Sequence, residues 1–73
     1  MKTYWQIVPV GDGHNYIGKD GDNHILCSKS ENFNKTLLFK TPSECKNYIN
    51  ANLDPNKFVE EEVWLDAKYY GLE

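Results

Sequence analysis

Apolar and polar positions along this chain follow two periods. Up to Phe39 the apolar residues form short runs broken by Gly, Asp and Asn; over 45–53 they recur every three or four positions; from Phe58 they alternate again. Short runs and alternation predict strands, and the intervening spacing predicts a helix. Lys2–Val10 predicts a first strand with two largely apolar faces, Trp5/Ile7 on one and Tyr4/Val8/Val10 on the other. Pro9 has no amide for a ladder, which points to an edge position or an irregular exit. Gly11-Asp12-Gly13 reads as a turn and Asn15–Gly18 as a short strand carrying Tyr16 and Ile17. Asp20-Gly21-Asp22-Asn23 reads as a hairpin turn, and His24–Ser28 as a third strand. The first half therefore predicts a three-stranded meander. Lys29–Asn34 is polar and loop-like. Lys35–Lys40, with Leu37, Leu38 and Phe39, is either a short strand or a helical turn.

Thr41-Pro42-Ser43-Glu44 is the sharpest local signal. A Thr hydroxyl accepts from amides of the first helical turn, Pro fits the first helical position, and Glu three residues after the cap can reach back to the cap amide. The helix is expected over Pro42–Asn52, with Cys45, Tyr48, Ile49 and Leu53 on one face and Asp54-Pro55-Asn56 as its stop. Phe58–Leu65 predicts the last strand. Phe58, Glu60, Glu62 and Trp64 share one of its faces, and Val59, Glu61, Val63 and Leu65 the other. Residues 67–73 read as a flexible tail, and Leu72-Glu73 has the look of a cloning-site remnant. The expected fold is a single α+β domain over residues 1–66: an antiparallel sheet of about four strands with one helix packed on one face, in the order β-β-β-α-β. Its core is expected to hold Trp5, Ile7, Ile17, Phe39, Tyr48, Ile49, Val59 and Val63. One helix covers one sheet face, yet apolar residues occupy both. The surplus must meet solvent, the tail or a partner.

At 73 residues the core is marginal, because area burial and chain entropy nearly cancel in domains this small. Five Tyr, two Trp and three Phe enlarge the area available for burial. The net charge is −3, with eight Lys and no Arg. Arg is the usual fork for phosphates and guanine edges, and the Lys residues form no run, so the balance argues against a nucleic-acid partner. No apolar run approaches the roughly 20 residues that span a bilayer, and no leader-like segment follows Met1. A cytoplasmic protein with no membrane partner is expected.

The candidate chemical sites are thin. Asp20, Asp22 and Asn23 loosely fit a calcium loop, but the sixth position is Ile25 rather than Gly, with Glu31 at the twelfth. His14, His24, Cys27 and Cys45 have none of the paired spacings of a zinc site. Cys27 with His14 or His24 is the one nucleophile–base pair on offer, and no elbow or Gly-rich loop supports it. No catalytic residue, metal or cofactor is therefore assigned, and a non-enzyme is expected. Glu60-Glu61-Glu62 is more informative. On an edge strand such charges block sheet-to-sheet association. With Phe58, Trp64, Asp66, Tyr69 and Tyr70 they also make an acidic–aromatic strip suited to a basic protein surface. The leading expectation is a non-catalytic protein-binding accessory module with an unidentified protein partner. The alternatives are a single-stranded nucleic-acid binder stacking bases on Tyr4, Tyr16 and Trp64, or a self-associating homodimer whose second apolar sheet face is covered by its twin.

Phe39-Lys40-Thr41-Pro42-Ser43-Glu44-Cys45-Lys46-Asn47-Tyr48-Ile49 resembles the F-x-T-x-x-E-A-x-x-x-I segment of short uncharacterised proteins from Firmicute bacteria and their phages. Trp5-Gln6-Ile7 followed by Tyr16-Ile17-Gly18 resembles their opening: an aromatic strand, a Gly/Asp turn and a Tyr-containing strand. The likeness departs at Cys45, where Ala is usual, and in the acidic last strand. It implies a bacterial or phage setting and carries over no activity and no site residue. Richness in Asn and Lys without Arg fits the same low-GC setting.

Overall fold

A computed structural model describes residues 1–12 and 14–72; Gly13 of the first turn and the closing Glu73 lie outside the described residues. The strands are β1 (Lys2–Pro9), β2 (Tyr16–Asp20), β3 (Asn23–Cys27), β4 (Leu38–Phe39) and β5 (Phe58–Leu65), with the helix α1 (Pro42–Asn52) between β4 and β5. A 3-10 turn at Phe33–Lys35 precedes β4. The architecture is α+β, with every strand pair antiparallel.

The strand order corrects the expected meander. The main sheet runs β4-β1-β5, and β2 and β3 form a separate hairpin. The segment leading into β4 stands where β2 was expected. Phe39 and Leu38 pair with Trp5 and Gln6. Two residues earlier, Thr36 bridges Gly18 and the Leu37 amide donates to the Ile17 carbonyl at 3.1 Å. The chain thus passes from the hairpin to the main sheet at Leu37. The exit from β1 also turns away from a hairpin. The Asp12 amide closes a turn on the Pro9 carbonyl, and the Asp12 carboxylate accepts from the His14 amide and the Asn15 side chain. Those two bonds hold the Asp12 carboxyl below the usual carboxylate range. β1 is accordingly the central strand; of the two readings of Pro9, the edge position is overturned and the irregular exit holds. Pro9 is tolerated because β4 pairs only as far as Gln6, which leaves no ladder for the missing amide to break. The Asp-Gly hairpin signal is met: Gly21 opens the two-residue β2–β3 turn at φ 62°, a conformation that costs glycine little.

α1 begins where the capping signal places it. The Thr41 hydroxyl accepts from the Glu44 amide at 3.2 Å, with Pro42 in the first turn. The reciprocal bond from Glu44 back to Thr41 is not formed among the described residues. Cys45 and Ile49 point inward and meet Ile7 of β1 and Ile17 of β2, with Trp5, Leu37, Phe39, Tyr48, Leu53 and Phe58 packed around them. The other sheet face is closed as well. Gln6, Val8, Val63 and Leu65 are buried on it, whereas Val59, expected in the core, is 39% exposed. Its cover comes from the chain itself. The described part of the expected tail, 67–72, folds together with Asp66 into turns in which the Tyr70 amide donates to the Asp66 carbonyl and the Leu72 amide to the Ala67 carbonyl at 2.7 Å. Ala67 is buried. The Tyr70 ring lies 4.9 Å from Phe33, which stands edge-on to the buried Tyr16. The apolar surplus that pointed to a partner is thus largely met internally.

Candidate functional site

β5 carries the residues that the sequence singles out, and its ladder fixes which way each points. The Val10 amide donates to the Lys57 carbonyl at 2.9 Å just beyond the strand ends. In an antiparallel ladder the hydrogen-bonded pairs alternate. With Val8 opposite Val59 and Gln6 opposite Glu61, residues 59, 61, 63 and 65 turn their backbone groups toward β1. Residues 58, 60, 62 and 64 turn theirs outward. The Phe58 amide is taken by the Asp54 carbonyl at 3.2 Å. Among the described residues no strand pairs with β5 on that outer side. Glu60, Glu62 and Trp64 therefore present peptide donors and acceptors along an open edge.

Their side chains, with Phe58, lie on the α1 side of the sheet, but α1 covers only the first half of β5. Phe58 and Glu60 are half-buried. They border a groove of about 190 Å³ lined also by Lys46, Ile49, Asn50, Pro55 and Val59. Past the helix, Glu62 is exposed opposite Trp5 and Trp64 is 60% exposed opposite Thr3. The Trp64 indole donates to the Glu62 carboxylate at 2.9 Å, so the acid and the ring form one unit. Glu61 points to the other face and accepts from the Gln6 amide group.

The expected strip is consequently divided. Asp66 does not extend it: its carboxylate accepts from the Lys68 and Tyr69 amides and holds a turn. That turn leads instead to Tyr70, whose ring meets Phe33 beside the buried Tyr16, and to Leu72, which lines a second groove with Lys2, Thr3, Tyr4 and Lys40. Tyr69 is 79% exposed and meets Tyr70 edge-on. The structure brings together Phe58, Glu60, Glu62 and Trp64 and leaves Asp66, Tyr69 and Tyr70 apart from them. Lys46, Asn50 and Pro55, which complete the groove, were missed. Pro55 read as a helix stop, and nothing local marked the helix end as a groove wall.

The remaining candidates are also separated. Tyr16 is buried while Tyr4 and Trp64 lie on opposite faces, so the proposed stacking trio shares no surface. Cys27 is buried, and the His24 ring, three residues earlier on the other side of the strand, bonds the Tyr48 hydroxyl at 2.8 Å. Burial, and then the charge of Glu60, push the Cys45 thiol up to about 12, which keeps it protonated and unreactive at neutral pH. No group of three metal-ligating side chains occurs among the described residues, and Asp20 pairs with Lys35 at 3.2 Å. No helix of the described residues is long and apolar enough to cross a membrane. No protein-family model matches the chain, and no curated protein or solved structure matches it significantly.

Proposed function

We propose that this protein is a non-catalytic accessory module that binds another protein through the α1 side and open edge of β5. The observation that carries this reading is the joined Glu62–Trp64 pair. It is a large aromatic ring, exposed and oriented by its own acid, beside a sheet edge that no other described strand pairs. Exposed Trp anchors and charged rims are what protein interfaces use. The buried, protonated Cys45 and the dispersed His and Cys residues offer no nucleophile to set against it. The likeness to Firmicute and phage proteins supplies the setting, a bacterial cytoplasm in which a phage or prophage product acts on a host protein.

Two features weigh against the alternatives. Base stacking has no common platform, since Tyr16 is buried. Self-association loses its main reason, since Gln6, Val8, Val63 and Leu65 on the second sheet face are already buried within one chain.

The test is affinity capture from a nuclease-treated Firmicute lysate, comparing the native chain with Glu62→Lys and Trp64→Ala. A stoichiometric protein held by the native chain and lost with both variants is the expected result. A captured protein indifferent to both variants overturns this surface, and capture that vanishes with nuclease returns the nucleic-acid reading to first place.

A further inference from the structure

Building on that protein-binding reading, we infer that β5 binds its partner by strand addition, and that the occupant is an extended basic segment with two cationic residues between two apolar ones on alternate positions. An open sheet edge takes an extended peptide through main-chain hydrogen bonds, while pockets along one face select alternate side chains. β5 supplies both parts. Glu60, Glu62 and Trp64 hold outward-facing peptide groups, following from the β1 register and the Val10–Lys57 bond. On the α1 side the surface beside this edge has a defined order: the groove walled by Ile49, Pro55 and Phe58, then the Glu60 carboxylate, then the Glu62 carboxylate, then the Trp64 ring.

A strand laid on this edge places every second residue next to one of those four features. The residue beside Phe58 enters the groove, where Ile49, Pro55, Phe58 and Val59 offer apolar surface alongside Lys46, Asn50 and Glu60, and whose volume of about 190 Å³ suits an aliphatic side chain. The next two on that face meet Glu60 and Glu62 and are cationic by charge complementarity. The fourth lies against Trp64. Residues on the other face of the added strand pass Val59, Glu61 and Val63 and are less constrained.

A second copy of the chain is the wrong occupant. Two β5 edges paired about a twofold axis bring Glu60 and Glu62 of one strand against those of the other. Like charges directly opposite each other destabilise a sheet, and the net charge of −3 adds long-range repulsion.

The experiment uses a capped synthetic peptide, Thr-Val-Thr-Lys-Thr-Lys-Thr-Val-Thr. It reads the same in both directions and so offers parallel and antiparallel addition alike. Amide hydrogen exchange of the full chain is followed by NMR with and without it. At saturation the Glu60, Glu62 and Trp64 amides are expected to slow by at least about tenfold, since ladder bonds are what protect strand amides. A peptide with Glu in place of both Lys, and a peptide N-methylated at the facing residues, are expected not to bind. Glu62→Lys, an exposed change outside the core, is expected to weaken binding by at least about tenfold, as for a charge opposed to its new like.

Absence of protection at these three amides with the peptide in millimolar excess overturns strand addition. If the capture result above still depends on Glu62 and Trp64, only the mode of binding fails and the protein-binding surface stands. If that capture also fails, both fall. Protection without peptide, with a doubled mass in light scattering, makes a second copy the occupant and overturns the assignment. Quenching of Trp64 by oligo-dT but not by the peptide overturns it in favour of nucleic acid.

Discussion

Each face of the β1–β5 ladder carries buried residues, but the two are covered by different means. On one face α1 lays Cys45 and Ile49 against Ile7 and Ile17, an aliphatic contact set by helical spacing. On the other, Gln6, Val8, Val63 and Leu65 are buried without a helix, and the ring contacts Tyr16–Phe33 and Phe33–Tyr70 tie β2, the 3-10 turn and the turns of residues 66–72 together, with Ala67 buried among those turns. That second layer also holds a fully buried amide. Gln6 gives an Nε2 hydrogen to Glu61 while its Oε1 has no partner among the described residues, and neither has the buried Oγ1 of Thr36, which bridges Gly18. A core made by a helix can be purely apolar, because the helix satisfies its own backbone. A core closed by loops takes in polar groups with the chain that closes it.

Substitutions on the two sides should separate these layers. The largest loss is expected for Ile49→Ala, which empties the helix-side cluster and costs about 3 to 4 kcal/mol in urea unfolding, as deletions of fully buried aliphatic groups do. Gly18→Ala probes the other side. A Cβ there lies 2.5 Å from the Lys35 carbonyl oxygen and closer still to the Cys27 sulfur, so the 3-10 turn must move. A loss of about 2 to 3 kcal/mol is expected, with perturbed signals at Phe33 and Lys35. An effect confined to the hairpin would mean that the two layers are not coupled through Thr36 and Leu37. Thr41→Ala removes the α1 cap and is expected to cost about 1 kcal/mol, measured by the same unfolding curve. Gln6→Met deletes the buried amide with its orphan oxygen while keeping the volume. It is expected to change stability by less than about 1 kcal/mol, and a large loss would show that the amide organises the loop-covered layer.

The smallest effect at neutral pH concerns Cys45. An unfolded thiol ionises near 9.0 and the folded one near 12. Below pH 9 both states keep the proton, and the contribution of this group to stability is whole. From pH 9 to 12 the unfolded chain loses its proton first, so stability falls. Cys45→Ala is expected to flatten that part of the profile, and a parallel profile would remove Cys45 as its source.

Local chemistry was readable from the sequence, and long-range pairing was not. The helix span, its Thr41-Pro42 start, the Gly21 turn and the span of β5 all depend on neighbours within a few positions. Strand order does not. β4, only Leu38 and Phe39, displaced β2 from the side of β1, and no run of two residues announces such a choice. The site divides in the same way. Alternation put Phe58, Glu60, Glu62 and Trp64 on one face, as found. It gave no sign that α1 ends its cover midway along them, nor that Asp66, Tyr69 and Tyr70 serve a turn of their own. Asp66 was read for its charge, whereas its carboxylate is used as a local acceptor for two amides.

The pairing of Gln6 with Glu61, 55 positions apart, has a consequence in time. The central strand is made 55 residues before the strand it pairs with along its whole length. At roughly 5–20 residues per second this is a delay of about 3 to 11 s, during which β1 has only the two-residue β4 to pair with. The hairpin β2–β3 and the capped helix can form during that interval, since their contacts are local. Assembly of the domain is therefore set by the arrival of its last strand, the one whose outer edge remains open once folding is complete.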